Sequence, residues 1–329
     1  MPKVSVIVPC YNEETTIGLL LEAVYQQTFP KKDMEVVIAD GMSSDRTREK
    51  VTEFSKAYPE LIIVLVDNPR RIIPAALNCA INASHGEIIV RLDAHSMPST
   101  DYVERCVREL LANRAENVGG IWKIQPGKDH WIAKSISLAA SHPLGVGDAL
   151  YRYATEAQYV DTVPFGAFRR ELFDQIGLFD ETLLTNEDYE LNTRIRKSGG
   201  RVWLDPMIQS VYFSRSSLSD LGKQYFRYGY WKWHMLRRYP ETLRWRQALP
   251  PAFVLSTVAL FLLAPFFKIC LILLEIVLLV YGLTLVIASW SIANQESDIR
   301  LLVGIPLAIV TMHYCWGSGF LWSLVKSIF

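Results

Sequence analysis

Short apolar runs alternate with amphipathic stretches along the first hundred residues of the chain. Runs typical of β-strands occupy residues 4–8, 35–39, 61–66 and 87–92. Apolar positions at helical spacing predict helices after Pro9, from about 45 to 58, and from 74 to 83, and Asn12 stands where a cap would open the first. Strands that alternate with helices predict right-handed parallel crossovers and an α/β sheet covered by helices on both faces.

The last part of the chain has a different composition. Residues 249–329 carry only six charged side chains and form apolar segments at 249–267, 269–290 and 301–322. Each is near the roughly 20 residues that a helix needs to cross a bilayer, so we expect two or three transmembrane spans. The prolines of the first segment also allow a re-entrant or interfacial piece, and buried helices of a soluble protein are the alternative.

Charge divides the chain into three parts. The whole chain has 34 Lys+Arg and 34 Asp+Glu, but residues 214–248 have a net charge of +6, the tail from 249 to 329 is neutral, and residues 1–213 therefore carry −6. We predict a domain at 1–213, a basic and aromatic neck at 214–248 that forms an amphipathic interfacial helix, and a transmembrane tail at 249–329. RNA could bind a neck of this composition, but the adjacent apolar segments favour lipid, and the balanced charge predicts no nucleic-acid partner.

The cysteines and the N-terminus bear on the compartment. The five cysteines are scattered and are never spaced as CxxC, which predicts neither a disulfide framework nor a structural zinc site. Because residues 1–8 do not resemble a signal peptide, we expect the first domain to stay on the cytoplasmic side.

Polar clusters follow three of the predicted strands, at residues 9–13, 40–45 and 93–95. Ligands of open α/β sheets bind at the carboxyl ends of the strands, so these clusters are expected at one edge. Asp93 and His95 are two metal-capable side chains at i and i+2, and Tyr11 offers a flat ring for stacking on a base. Each cluster taken alone is also consistent with an ordinary turn or helix cap.

Taken together, these segments resemble the family 2 glycosyltransferases with the GT-A fold, a Rossmann-like nucleotide-diphospho-sugar transferase domain. The motifs that carry the resemblance are PCYNE, DGMSSDRT, RLDAH in place of the usual DxD, and GLFDETLLTNEDYELNTRIRKSGG, and the match extends from residue 3 to about 235. The DAH variant, the QYFRYG sequence of the neck and the apolar tail look most like the succinoglycan-biosynthesis glucosyltransferase subgroup.

The resemblance implies roles for the matching residues. Tyr11 and Asp40 would hold uracil, and Pro9 and Glu13 would shape the same pocket. Asp93 would contact the ribose and, through a divalent cation (Mn²⁺ or Mg²⁺), the diphosphate.

His95 would be the second metal ligand. Asp188 would be the catalytic base and Glu187 its neighbour, which positions the acceptor or tunes the base. Without the resemblance, the two acids could simply open the following helix, where acidic residues are favoured.

The neck contributes two further candidate site residues, and the chain departs from the family pattern at two positions. Gln224 and Arg227 resemble part of the QxxRW signature of processive synthases, and Arg227 would neutralise a donor or lipid diphosphate or face headgroups. Leu77 stands where many relatives have arginine, so a nucleotide-binding arginine is expected elsewhere, at Arg70 or Arg71. Near Tyr212 there is no clear match for an additional histidine ligand.

The expected function is a membrane-attached, inverting, metal-dependent transfer of a sugar, expected to be glucose, from a UDP-sugar to a polyprenyl-diphosphate-linked saccharide in exopolysaccharide synthesis. We expect a multi-pass protein of the inner (plasma) membrane. Other polysaccharide-assembly proteins are expected as further partners. Two alternatives remain: transfer onto a polyprenyl monophosphate, and a non-catalytic nucleotide-binding membrane scaffold. A nicotinamide dehydrogenase is excluded because the first strand is not followed by a GxGxxG turn.

Overall fold

The protein is described by a computed structural model that covers residues 2–328. It divides into two compact units. The sheet unit comprises Met1–Lys123 and Leu150–Tyr212, and the helical unit comprises Ile124–Ala149 and Phe213–Phe329. The division predicted from the sequence differs from this one in the segment Ile124–Ala149, which the sequence assigns to the first domain.

One mixed sheet organises the first part of the molecule. Its strands are β1 (Val4–Cys10), β2 (Met34–Asp40), β3 (Ile62–Asp67), β4 (Ile88–Arg91), β5 (Met97–Pro98), β6 (Asn117–Pro126), β7 (Gln158–Tyr159), β8 (Ala167–Arg169) and β9 (Val202–Ser214). The order is β3-β2-β1-β4-β8-β6-β9-β5, and β7 pairs with β9.

The predicted parallel sheet is confirmed for β1 to β4, which are joined by helical crossovers. Beyond β4 the sheet changes direction, because β8 pairs with β4 and with β6 in antiparallel orientation. Several strands of this second half are only two or three residues long, too short for a pattern of apolar positions to predict them.

Helices cover both faces of the sheet, as predicted. They are α1 (Ile17–Tyr25), α2 (Thr47–Ala57), α3 (Ile73–Ala83), α4 (Tyr102–Leu111), α7 (Glu171–Ile176) and α8 (Glu187–Lys197). Apolar residues of α1, α2 and α4 pack on one face with Val4, Val6 and Val8, while those of α3, α7 and α8 pack on the other face with Ile7. This alternation along β1 is the period of two expected for a strand buried on both faces.

The helical unit contains α5 (Trp131–Ala140), α6 (Pro143–Val146), α9 (Leu218–Arg238), α10 (Trp245–Leu263), α11 (Lys268–Gln295) and α12 (Leu301–Lys326). The last three are long and apolar enough to cross a membrane. The predicted neck contains a helix, α9, but this helix packs on α12. Short 3₁₀ turns at Lys31–Asp33, Leu150–Arg152 and Pro240–Thr242 complete the described elements.

Candidate active site

The carboxyl ends of the parallel strands lie side by side at one edge of the sheet. Cys10 of β1 is paired with Asp40 of β2, and Asp40 with Asp67 of β3. Ile7 pairs with Arg91, the last residue of β4, so the segment that follows Arg91 begins at the same edge. The structure thus brings the three predicted polar clusters to the carboxyl edge, as the parallel topology requires.

The loops after β1 and β2 are hydrogen-bonded to each other. The Asn12 backbone NH donates to Ser43 Oγ (2.8 Å), and the Ser44 NH donates to Asn12 Oδ1 (2.9 Å). Asn12 has φ 53°, in the left-handed region that Asn tolerates better than most residues. The prediction that Asn12 caps α1 is wrong, since Thr16 precedes the helix and the Asn12 amide bridges the two loops instead.

Tyr11 and Asp40 have different environments at this edge. The Tyr11 side chain is 47% exposed, as a stacking surface requires, and its ring lies beside Gly41, where a Cβ atom would be 3.1 Å from Tyr11 Cδ2. Asp40 is fully buried and accepts hydrogen bonds from the Ser43 NH (3.0 Å) and from Arg48 Nη1 (2.8 Å). In this structure Asp40 therefore orders the loop, and its contact with uracil remains a prediction.

Arg48 is absent from the predictions made from the sequence. Its Nη1 lies 2.8 Å from a carboxylate oxygen of Asp40 and 2.8 Å from one of Asp67. These hydrogen bonds to both acids raise the pKa of Arg48. The residue lies on the polar helix α2 with no sequence feature that separates it from the other basic residues there.

The residues proposed as metal ligands lie in the loop after β4. Among residues 2–328, no group of three or more His, Cys, Asp and Glu side chains is placed to hold a metal ion. His95 Nδ1 is 3.0 Å from Glu13 Oε1, a contact that fixes the imidazole ring. A histidine that binds a metal commonly has its other ring nitrogen held by a carboxylate in this way.

One carboxylate, from Asp93, and one imidazole fit a divalent cation that takes its remaining ligands from phosphate oxygens. Pro9, the other predicted pocket residue of this region, is buried in β1 beside Ala39 of β2.

The buried cation Arg91 connects three carboxylates. Its side chain is 3% exposed, and Nη2 lies 3.2 Å from Asp93 Oδ1 and 3.0 Å from Glu187 Oε1. Nη1 donates to Asp188 Oδ1. Because β4 supplies Arg91 and α8 supplies the two acids at its first turn, the guanidinium group attaches the start of α8 to the sheet edge.

Asp188 is held on its other oxygen by the chain around Phe165. The Phe165 NH donates to Asp188 Oδ2 at 3.4 Å. Phe165 has φ 62° and Gly166 has φ 97°, and a Cβ atom on Gly166 would lie 2.4 Å from Asn117 Oδ1, so this sharp turn requires glycine. The backbone of this turn thus contacts the proposed base.

The electrostatics of this cluster favour proton transfer near neutral pH. Burial, opposed by the charge of Arg91 and reinforced by those of Glu187 and Asp93, raises the pKa of Asp188 to about 7. The same acids raise the pKa of Arg91 against the effect of its burial, so Arg91 stays charged. A carboxylate with a pKa near the working pH has the property that a general base needs.

The remaining predicted residues lie outside this cluster. Arg70, one of the two expected nucleotide-binding arginines, donates to Glu181, and Asn78 Nδ2 contacts the same carboxylate at 2.8 Å. Gln224 and Arg227 belong to α9 in the helical unit. Gln224 Nε2 donates to Tyr228 Oη (2.8 Å), and Arg227 is exposed, so their contacts with a donor remain predictions.

Comparisons with known proteins identify the family and the fold. Residues 5–177 match the model of the family described as Glycosyl transferase family 2. The chain is 30% identical over 327 residues to the succinoglycan biosynthesis protein ExoA of Rhizobium meliloti (strain 1021), covering 96% of this chain and 93% of that protein.

A second relative is the dolichyl N-acetyl-alpha-D-glucosaminyl phosphate 3-beta-D-2,3-diacetamido-2,3-dideoxy-beta-D-glucuronosyltransferase of Methanococcus voltae. It is 28% identical over 330 residues, which cover 98% of this chain and 97% of the relative. Among solved structures, the fold is similar to that of the mannosyltransferase PcManGT from Pyrobaculum calidifontis in complex with GDP-Man and Mn²⁺. The TM-score is 0.69 at 20% identity, with 99% of this chain and 88% of that chain covered.

Proposed function

The chain belongs to glycosyl transferase family 2 and has the GT-A fold that its motifs predict, and from this premise we propose that it is an inverting glycosyltransferase acting at a membrane. The donor is a UDP-sugar, with glucose as the expected sugar, and the acceptor is a saccharide linked to a polyprenyl diphosphate.

The observation that carries this proposal is the environment of Asp188. An acceptor hydroxyl has a pKa far above neutral, so its proton must be removed as the new bond forms. Asp188, with its pKa raised to about 7 and its position fixed by Arg91 and Phe165, fits that task. One base and one direction of attack give inversion at the anomeric carbon without a covalent intermediate.

The donor side of the site is formed by the ends of β1 and β2 and by the loops after β1 and β4. Tyr11 stacks on the base, while Pro9, Glu13 and Asp40 form the surrounding pocket. Asp93 and His95 would hold the divalent cation, which would supply positive charge to neutralise the leaving diphosphate.

In addition, Arg227 provides a fixed fork of donors suited to a diphosphate, with Gln224 one helical turn before it.

The acceptor proposal is supported by the relatives and by the apolar helices. One relative that matches along nearly its whole length has a dolichyl-linked acceptor in its name, and another is a succinoglycan biosynthesis protein. In this chain, α10, α11 and α12 are long and apolar enough to cross a membrane. Membrane attachment would place the active site where a lipid-linked sugar is available.

A polyprenyl monophosphate is the competing acceptor. Such an acceptor is already anionic, so transfer to it would tolerate loss of the base better than transfer to a hydroxyl. The cluster of Arg91, Glu187 and Asp188 therefore favours a hydroxyl acceptor. The same cluster argues against a scaffold that has lost catalysis, because a nucleotide-binding scaffold would not require an acid held at a pKa near 7.

A donor screen on detergent-solubilised protein tests the proposal. UDP release is measured for several UDP-sugars with Mn²⁺ or Mg²⁺, with and without lipid extract, and again after EDTA. We expect release to need the cation and to rise strongly with lipid extract. Release that is independent of lipid would indicate donor hydrolysis, and no release with any donor would contradict the proposal.

A further inference from the structure

The three apolar helices differ in how they are enclosed by the rest of the helical unit. Buried residues of α12 extend from Leu301 to Ser323, almost its whole length. α11 is mostly exposed, with buried residues concentrated from Leu285 to Ala293. A helix that crosses a bilayer beside only two apolar partners can leave its other sides to lipid and does not need such extensive cover by protein. The elements that cover α12 therefore indicate whether it lies in the bilayer.

The C-terminal half of α12 is covered by α9 at backbone distance. A Cβ atom on Gly229 of α9 would lie 2.0 Å from the Trp316 carbonyl oxygen, and one on Gly319 of α12 would lie 2.1 Å from the Phe226 carbonyl oxygen. Trp233 Nε1 donates to Ser327 Oγ at 3.0 Å. These contacts extend over residues 226–233 of α9 and 316–327 at the end of α12, so the two helices pack against each other as far as the end of α12.

The charges of α9 keep it out of the hydrocarbon layer. Its exposed cations are Lys223, Arg227, Arg237 and Arg238. A Lys or Arg at the centre of a bilayer is unfavourable even on the insertion scale, which gives the lowest cost. At the headgroups the same cations are favourable, because anionic lipids attract them. The half of α12 that α9 accompanies must therefore also lie at or outside the membrane surface.

The N-terminal half of α12 is covered by the segment Ile124–Ala149. A Cβ atom on Gly304 would lie 2.0 Å from Ser135 Oγ, and His313 Nε2 is 2.8 Å from the Leu144 carbonyl oxygen. This segment leaves the sheet unit after Lys123 and returns to it at Leu150. Two crossings would need about 40 apolar residues. A segment of this length that contains Lys128, Asp129 and Lys134 therefore stays on one side of the membrane.

The turn between α10 and α11 is apolar and exposed, whereas α12 is covered by other elements. α10 packs on α12 through Pro250 and Val254, and α11 packs on it from Tyr281 onward. Residues 258–280 extend beyond these contacts, contain only two charges, and include Phe266 and Phe267, which are 79% and 56% exposed. From Lys268 to Val280 the helix is about 20 Å long at 1.5 Å per residue. An exposed apolar tip of this length fits a lipid bilayer.

We propose that α10 and α11 are the membrane-inserting hairpin of this protein and that α12 lies outside the bilayer, with both of its ends on the same side of the membrane as the sheet unit. Three transmembrane spans would instead place the end of α12 on the opposite side. The inference rests on the proposed membrane attachment but not on sugar transfer, so the sidedness of α12 and the activity can fail independently.

Cysteine labelling of the full-length protein in sealed vesicles tests the inference. Three variants each add one cysteine at an exposed position: Lys56→Cys on α2, Arg300→Cys just before α12, and Lys326→Cys at the end of α12. A membrane-impermeant maleimide is applied to inside-out and to right-side-out vesicles. The unchanged chain, with its five native cysteines, gives the background.

We expect all three added cysteines to be labelled from the same side. Arg300→Cys is the matched control, since it lies on the side of the sheet unit whether or not α12 crosses. Labelling of Lys326→Cys from the side opposite to Lys56→Cys and Arg300→Cys would overturn the proposal. If Lys326→Cys is poorly reactive in folded protein, protease cleavage at residues 326–328 in the same vesicles reads the same sidedness, and cleavage from the opposite side would also overturn it.

Discussion

Arg91 is the residue on which the geometry of the candidate active site most depends. Its guanidinium group contacts Asp93, Glu187 and Asp188, which come from two separate parts of the chain. A buried cation is costly unless it is paired, and three close acids would repel each other without it. The burial of Arg91 and the close approach of the three acids are therefore each favourable only in the presence of the other.

We predict that Arg91→Met lowers the free energy of unfolding by about 3–5 kcal/mol, the usual effect of removing one partner of a buried ion pair. Urea unfolding of the solubilised protein measures this. Arg46→Met is the control, because Arg46 pairs with Glu49 at the exposed surface, where ion pairs contribute little to stability. Equal losses for both variants would contradict the central role of Arg91. Lower pH should reduce the loss of stability caused by Arg91→Met, since Asp188, with its raised pKa, then becomes neutral.

The raised pKa of Asp188 predicts the pH dependence of activity. As a base, Asp188 must be deprotonated, so kcat/KM of the free enzyme should rise with pH and level off above about 7. The charge of Glu187 helps to raise this pKa, so Glu187→Gln should move the rise to lower pH. Glu49→Gln, a remote surface change, should leave the profile unmoved. A Glu187→Gln profile identical to that of the unchanged protein would contradict the coupling.

Stability should have the opposite pH dependence from activity. Between the ordinary carboxyl pKa of 3.8 and about 7, the folded protein keeps a proton on Asp188 that the unfolded chain has lost. Stability contributed by this group is therefore present at low pH and falls as pH rises through that window.

The motifs predict the acids of the site but not their contacts with Arg91. Glu187 and Asp188 are 96 and 97 residues from Arg91 in the chain, and the pattern of apolar positions contains no information about such pairings. Arg91 does have one sequence signal, because a charged residue at the end of an otherwise apolar strand must be paired when it is buried. Arg48 has no comparable signal.

At the scale of secondary-structure elements, the parallel half of the sheet could be predicted and the remainder could not. β1 to β4 are apolar runs separated by helices, and their order follows from crossover rules. The segment Ile124–Ala149 joins the helical unit through contacts with α12 more than 150 residues later, which no local pattern indicates. The sequence predicts that the neck forms an interfacial helix, and its glycines also make α9 a close packing partner for α12.

The contact between α9 and α12 leads to a further prediction about stability. Gly229→Leu would force the two backbones apart, and overpacking of this kind costs about 1–3 kcal/mol or more. The melting temperature of the solubilised protein should fall. Gly282→Ala in α11 is the matched control, because a Cβ there meets nothing within 4 Å and its effect should stay within about 1 kcal/mol. A melting temperature unchanged by Gly229→Leu would show that the helices do not pack this closely.

At the scale of the whole molecule, the net charge of zero is the sum of unlike parts. The acidic residues 1–213 contain the candidate active site, and the basic residues 214–248 contain α9. The neutral residues 249–329 contain the apolar hairpin tip. This partition is readable from the sequence, because charge is a sum over residues and does not depend on the fold.

The hairpin tip should determine attachment to the membrane. We predict that Phe266→Glu combined with Phe267→Glu increases the fraction of protein released from membranes by an alkaline wash, since two charges would enter the lipid-facing turn. Leu111→Glu, at an exposed apolar position on α4 in the sheet unit, is the control and should not change this fraction. Equal retention of the double variant and the control would mean that other parts of the chain carry the attachment.

Asp188→Asn gives the most direct test of the proposed catalytic function. UDP binding and sugar transfer to a lipid-linked acceptor are measured on the same preparation of the unchanged protein and of the variant. Loss of a general base typically reduces the rate by about 10²–10⁴-fold, and Asn keeps the shape of the side chain. We expect UDP affinity to be unchanged and transfer to fall within that range, whereas full transfer by Asp188→Asn would contradict the assignment of the base.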